Sequence, residues 1–277
     1  MKIFTTKHIW KIKAQLTKRE KTFIGFLGLL VILAGWYLLT EFGGIPEQIL
    51  PKPLDVLGAF DGLIDPEATR QKGLLEHIEK SLVRNFLGFL EAAIIAIPLG
   101  FLIALKSPIR AIFEKYIQSA RYLPIAALIA LFIIWFGIGE TMKIQFLACG
   151  IIVYLLPAMI ARVDEVKKMY ENTARTLNAS EWEIFKTIYL PKGLGLVFTD
   201  IINLTAISWT YIIIAENINS AQGGVGVLCW QMARQSEYAS VFAVLFVIFL
   251  IGFLQDKILT LIDRKIFPWK HQNKSNK

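Results

Sequence analysis

The sequence predicts an all-α integral membrane protein that crosses the bilayer about six times. Three observations carry this reading: 55% of the 277 residues are hydrophobic, only 19% are charged, and the charges sit between long uncharged runs. Ordinary soluble domains hold roughly 45–50% apolar and about 25% charged residues, spread along the chain. Residues 22–40 (TFIGFLGLLVILAGWYLLT) and 122–139 (YLPIAALIALFIIWFGIG) contain no charge at all. A run of about 18 apolar residues reaches across a hydrocarbon core of roughly 30 Å as a helix. Lipid offers the backbone no hydrogen bonds, so a span of this length must satisfy its own and is helical.

The elements follow in order. A basic tail, residues 1–21, carries seven Lys or Arg and leads into a first span near 22–41. That run exceeds the apolar core of a signal peptide, about 7–15 residues, and ends in Trp36, Tyr37 and Glu41, so it reads as a retained helix. An outer segment, 43–80, contains seven acids. Further spans are expected near 82–105, 112–136, 142–161, 191–216 and 238–259, before a basic tail over 263–277. The third of the six spans holds Glu114, Lys115 and Arg121 ahead of Pro124. A charge at the bilayer centre costs roughly 2.5–3.5 kcal/mol. The 108–121 stretch therefore reads as an amphipathic piece near the inner surface, with the proline marking a break before the apolar half.

Lys and Arg set the orientation. With the N-terminus inside, 22 of the 30 fall on inner segments, seven on outer ones and Arg121 within a span. The excess of basic residues on one side places both termini in the cytoplasm, and an even number of spans agrees. The same placement accounts for the net charge of +8 without a nucleic-acid partner, whose binding calls for a basic face or stripe. Cys149 and Cys229 lie in unrelated places and form no disulfide or metal-ligand spacing, and His8, His77 and His271 are scattered over tails and loops as solvated side chains. No cluster of His, Asp or Glu suited to a membrane enzyme is present.

The most informative segment is the inner connection 162–190, RVDEVKKMYENTARTLNASEWEIFKTIYL. Thirty or so residues far exceed what a turn needs. Met169, Ala174, Leu177, Trp182, Ile184, Phe185 and Ile188 recur at near-helical spacing, and Ser180 with Glu183 forms a capping-box pattern. The segment reads as a helix near 164–177, a bend at Asn178 and a second helix near 181–189 leading to Pro191. Such a helix either lies flat on the headgroups or is offered to a partner.

Here the residues resemble a family. ARTLNAS (174–180), followed by Leu190–Pro191, resembles the cytoplasmic "EAA" loop of binding-protein-dependent ABC transporter permeases: Glu-Ala-Ala, three residues, Gly, then a later Leu-Pro. Ala174, Leu177 and Pro191 match. Asn172 aligns with the motif Glu, while Glu171 sits one position early, Thr173 replaces the first Ala, and Asn178 stands at the hinge Gly. Asn also tolerates left-handed backbone geometry. ILPKPLDVL (49–57), RYLPIAALIALFIIWFGIGETMKI (121–144), AENINSAQGGVGVL (215–228) and DRKIFPW (263–269) resemble, in the same order, stretches of the nitrate/sulfonate/taurine group of these permeases.

The resemblance implies a type I ABC importer permease fold over 22–262, in the cell inner (plasma) membrane and bathed in lipid. It further implies two ATP-binding cassette ATPase subunits, an extracytoplasmic substrate-binding protein and a second permease subunit, expected to be another copy of this chain. No Walker A pattern occurs, so ATP and Mg belong to the partner ATPase and no cofactor is expected on this chain. Glu171, Asn172, Thr173, Ala174, Leu177, Asn178 and Pro191 are the expected ATPase-coupling residues. Candidates for the translocation pathway are Glu91, Asp200 and Glu216, because intramembrane acids default to function, with Asn203 and Ser208 from a polar stripe on the fifth span that interhelical packing would also explain; Glu91 and Asp200 have a structural alternative in pairing with Arg121 or Arg84. Sulfonate-type members carry an Arg where this chain has Ile202, which argues against an anion passing that helix. The competing class is an ion-gradient-driven secondary transporter using Glu91, although no repeat between the two halves supports it.

Overall fold

The computed structural model describes residues 16–64 and 73–271. The start of the N-terminal tail with His8, the 65–72 part of the outer segment and the last six residues lie outside the described residues. Among those described, every regular element is helical.

α1 (Lys18–Phe42) begins at a capping box in which Glu20 N–H donates to Thr17 Oγ1 and Thr17 N–H donates to the Glu20 carboxylate. Its apolar window is buried nowhere within the chain, as suits a helix whose side chains face lipid or another subunit. Near its end Trp36 packs against Phe242 and donates Nε1–H to Pro51 O at 3.0 Å. α2 (Pro53–Ile64) opens on proline, whose missing N–H costs nothing in a first turn. It buries Val56 and Leu63.

α3 (Leu74–Leu105) is 32 residues long, about 48 Å at roughly 1.5 Å per residue. It starts eight residues ahead of the expected 82–105 span. Glu76, Glu79 and Lys80 hide that extension from a hydropathy reading, but His77, Ser81, Arg84 and Asn85 continue its buried face. α4 (Ser107–Ala120) buries no residue. After the Arg121–Pro124 break come a tight turn, Ile125–Leu128, and α5 (Ile129–Phe136). The two halves meet at 93°, so the span expected over 112–136 is a broken one. Pro124 cannot continue the α4 hydrogen bonding. Gly137, at φ +73°, ends α5.

α6 (Glu140–Asp164) packs against α3 through a register legible at residue level. Gly88, Ala92, Ala96 and Gly100 recur every fourth residue along α3, and Leu147, Ile151, Leu155 and Met159 do the same along α6; all eight are buried. A methyl group added at Gly88 would lie 2.8 Å from Leu147 Cδ2, and one at Gly100 2.5 Å from Met159 Cγ. Small residues let helix backbones approach closely where dispersion must hold them together.

α7 (Lys168–Thr176) is followed by α8 (Glu181–Ile184), a wide turn over Phe185–Tyr189 and α9 (Leu190–Glu216). The last three form one continuous 36-residue helix, so the span expected from 191 begins ten residues earlier. α10 (Val225–Arg234) lies in the connection after α9, and α11 (Tyr238–Ile266) completes the bundle. Five helices are long and apolar enough to cross a membrane, or six if the bent pair counts as one span. One end gathers Lys106, Arg110, Arg162, Lys168, Arg175 and Lys270. We call it the basic end. Arg84, Glu140, Glu216 and α10 mark the opposite end.

Candidate functional site

α7 hangs from the basic end, and local sequence determines its shape. Asn178 adopts φ +60°. Asn178 N–H donates to Arg175 O, and Ala179 N–H donates to Ala174 O, each at 3.0 Å. This paired closure is the Schellman arrangement, which needs a left-handed residue that Asn can supply. Two residues later Ser180 caps α8: Glu183 N–H donates to Ser180 Oγ, and Ser180 N–H donates to Glu183 Oε2 at 2.7 Å.

Glu171 holds α7 against the bundle. Tyr189 Oη–H donates to Glu171 Oε2 at 2.6 Å, and Arg175 donates Nε–H and Nη2–H to Oε1 at 2.9 and 2.8 Å. Arg175 also binds Glu181 at 2.7 Å. The Tyr189 hydroxyl first and Arg175 second hold the Glu171 carboxyl below the usual carboxylate range. A depressed folded-state value means the contact stabilises α7 fully above the ordinary carboxylate pKa. It fades as pH falls through the lower folded value.

On the other side of this clamp the surface is bare. Leu177 is 78% exposed and Met169 62%, while Asn172 and Thr173 are also exposed and Ala174 is half-buried. Pro191 does not break the helix, because the turn before it is wide: Leu190 N–H reaches back five residues to Phe185 O. Proline lacks an N–H and its ring crowds the carbonyl four residues back; a widened turn accommodates both and frequently marks a functional position.

The pathway candidates lie apart from α7, four of them along α9 and Glu91 on α3. Asp200 is bound by Arg162 through Nε–H and Nη2–H at 2.7 and 2.9 Å, near the basic end. Glu91 accepts from Gln145 Nε2 at 2.9 Å. Neither acid pairs with Arg121 or Arg84, the partners considered from sequence. Ser208 is buried and accepts from Asn85 Nδ2 at 2.9 Å. Asn203 is exposed, as are Ala206, Ile207 and Thr210, which together make one bare stripe along α9.

Glu216 is fully buried at the opposite end, in a network that sequence did not reveal. Arg84 donates to Glu216 Oε1 at 2.9 Å, to both Glu140 oxygens at 2.5 and 2.6 Å, and to the carbonyls of Gly223 and Gln222 at 2.7 and 3.1 Å. Ser81 Oγ–H and Gly226 N–H also donate to Glu216, at 2.6 and 2.9 Å. Gly224 holds φ +126°, and a side chain there would collide with the Glu216 carboxyl. His77, expected to be solvated, is buried, with Nδ1 2.8 Å from Gly224 O and 2.9 Å from Gly224 N. The network ties the 222–226 loop to α3, α6 and α9. Lys143 Nζ is enclosed beside it, 3.9 Å from Glu140, with no hydrogen-bond partner among the described residues. The signal in the sequence was the polar series His77, Ser81, Arg84 and Asn85 along one face of α3. Among the described residues no group of His, Cys, Asp and Glu could hold a metal ion.

Comparison with known proteins places this geometry in context. The family model described as "Binding-protein-dependent transport system inner membrane component" matches residues 96–268. The taurine transport system permease protein TauC of Escherichia coli (strain K12) is 28% identical over 260 residues, 94% of this chain and 92% of that protein. The bicarbonate transport system permease protein CmpB of Synechococcus elongatus is 27% identical over 248 residues, 87% of each chain. Among solved structures, an inward-facing form of the MetNI methionine ABC transporter superposes with a TM-score of 0.61 at 16% identity, covering 70% of this chain and 95% of that one. That likeness shows the fold, a type I ABC importer permease.

Proposed function

Since this chain belongs to the binding-protein-dependent transport system inner membrane component family, as a multi-pass permease subunit of an ATP-driven ABC importer, we propose that α7 is the element through which a partner ATPase drives it. The family membership decides between the two transporter classes weighed from sequence, and the gradient-driven one falls away. One observation carries the proposal: Leu177 stands bare at the tip of a short helix that Glu171 and Tyr189 fasten from behind. A helix clamped on one face that bares Met169 and Leu177 among polar side chains on the other suits a groove in a partner.

Two ATPase subunits, each taking one α7, and a second copy of this chain make up the assembly in this reading, with ATP and Mg bound by the ATPases. A binding protein delivers the solute at the opposite end, and both termini lie in the cytoplasm with the basic end. ATP binding shifts a two-state equilibrium, because the closed ATPase pair prefers one placement of α7. The solute is a small polar molecule; of the two kinds named for TauC and CmpB, zwitterionic taurine suits a helix with Ile202 in place of an Arg better than the bicarbonate anion does. We assign its path to the bare stripe of α9 at Asn203 and Thr210, with Glu91 as a flanking polar group. Glu216 and Asp200, both already bound to arginine, are assigned to holding the helices together.

Leu177→Asp tests the proposal. The side chain is exposed, so the change leaves folding and membrane insertion intact. Solute uptake is expected to fall at least tenfold, and the ATPase to be lost from the purified complex. Undiminished uptake with a stoichiometric ATPase would rule the docking surface out.

A further inference from the structure

A cavity of about 980 Å³ opens at the basic end, between the end of α3, the start of α4 and the α7–α8 segment. Its two zones differ in chemistry. The deep wall is apolar: Ile97, Phe101 and Leu105 of α3 face Leu190 and Leu194 of α9. From Lys106 back to Ile97 this wall runs about 13 Å along the helix, inward from the basic end. An aromatic series leads outward. Phe101 meets Phe185 edge-on at 5.4 Å, and Phe185 meets Trp182, also at 5.4 Å. Trp182 stands exposed at the mouth, where an amphipathic ring belongs at headgroup level.

The mouth carries a net positive charge, with Lys106, Arg110, Lys168 and Arg175 against Asp164, Glu171 and Glu181. Its three acids, Asp164, Glu171 and Glu181, are each bound to an arginine, Arg110 or Arg175. Lys106 and Lys168 also line it. Neither makes an ion pair or side-chain hydrogen bond among the described residues, and Lys168 acts on Glu171 only through space. The cavity thus presents two unpaired ammonium groups above an apolar slot.

We propose that this cavity holds an anionic phospholipid of the adjoining leaflet, with its phosphate at Lys106 and Lys168 and one acyl chain along Ile97, Phe101 and Leu194. Basic pockets between transmembrane helices on the inner side suit anionic headgroups, and each lysine near the surface contributes about a fivefold preference. A soluble anion would satisfy the lysines but leave the apolar slot unfilled. The lipid would also brace the α7–α8 segment, which forms one side of the mouth. The site shares Lys168, Glu171 and Arg175 with the docking element α7, but it rests on Lys106 and Lys168 rather than on Leu177, so the two proposals are tested by different residues.

The test uses the full chain in bilayer nanodiscs and lipids carrying brominated acyl chains, which quench nearby tryptophan. The signal of Trp182 is isolated by subtracting that of Trp182→Phe. Brominated phosphatidylglycerol is expected to quench Trp182 at roughly tenfold lower mole fraction than brominated phosphatidylcholine. In the Lys106→Gln/Lys168→Gln double variant the two lipids should come within twofold. Lys167→Gln, whose side chain lines a separate surface pocket, should keep the full preference, and helical circular dichroism checks that each variant folds. Equal quenching by both lipids, a preference that survives the double variant, or one lost equally in Lys167→Gln would overturn the proposal. So would displacement of the quenching lipid by inorganic phosphate, or a disulfide formed from Trp182→Cys to a second copy of the chain in place of lipid quenching.

Discussion

Arg84 and Lys143 are both cations enclosed by protein at the same end of the bundle, yet they are held differently. The Arg84 guanidinium meets five acceptor oxygens on two acids and two carbonyls. Lys143 Nζ has none among the described residues. Removing one partner of a satisfied buried pair leaves the other charge stranded and typically costs about 3–5 kcal/mol. A buried ammonium that makes no hydrogen bond and reaches its nearest carboxylate, Glu140, only at 3.9 Å is itself a cost, so replacing it with an apolar group of similar shape relieves it. Arg84→Met should therefore lower the thermal unfolding midpoint in detergent sharply, whereas Lys143→Met should leave it unchanged or raise it. The reverse order would show that Lys143 has a partner and that Arg84 is dispensable. The sequence could not reveal this difference. Arg84 and Glu216 lie 132 residues apart, and no local window joins them.

At the level of elements, sequence and structure agree where the signal is local. The capping pattern at Ser180 and Glu183 and the bend at Asn178 depend on neighbours within a few residues, and both appear where the residues put them. The break at Pro124 was legible for the same reason, but its 93° angle was not. Hydropathy counts length and composition and carries no direction. Pro191 misled in the opposite sense, because a widened turn absorbs the proline that usually stops a helix. α10 escaped notice because a ten-residue helix is too short for a span. The packing of α3 on α6 rests on a Gly/Ala residue every four positions from 88 to 100, a pattern the sequence reading passed over because hydropathy weighs Gly and Ala little. It predicts that Gly100→Val, whose added carbons meet Met159, destabilises the chain by roughly 1–3 kcal/mol through overpacking. Gly28→Ala in α1, where nothing lies within 4 Å, should cost nothing. Equal midpoints for the two variants in thermal melts would mean that α3 and α6 do not pack as described.

Across the whole molecule, the two ends have opposite characters. At one, a buried ionic network fixes a loop to three helices. At the other, α7 is fastened by the Glu171–Tyr189, Arg175–Glu181 and Tyr170–Lys192 contacts while Leu177 stays bare, and α1 buries none of its apolar window within the chain. Exposed apolar surface of this extent on a single chain marks interfaces with lipid or with other subunits, as expected of one part of a larger importer. The claim that joins these features is that α7 carries motion from an ATPase into the bundle. The most direct measurement places a cysteine at Leu177, with Cys149 and Cys229 changed to serine, and forms disulfides to cysteines introduced along the groove of the co-purified ATPase. The account predicts an efficient cross-link to the ATPase that blocks uptake and is reversed by reductant. A cysteine at 177 that reacts freely with a soluble thiol reagent in the intact complex, and never joins the ATPase, would contradict it.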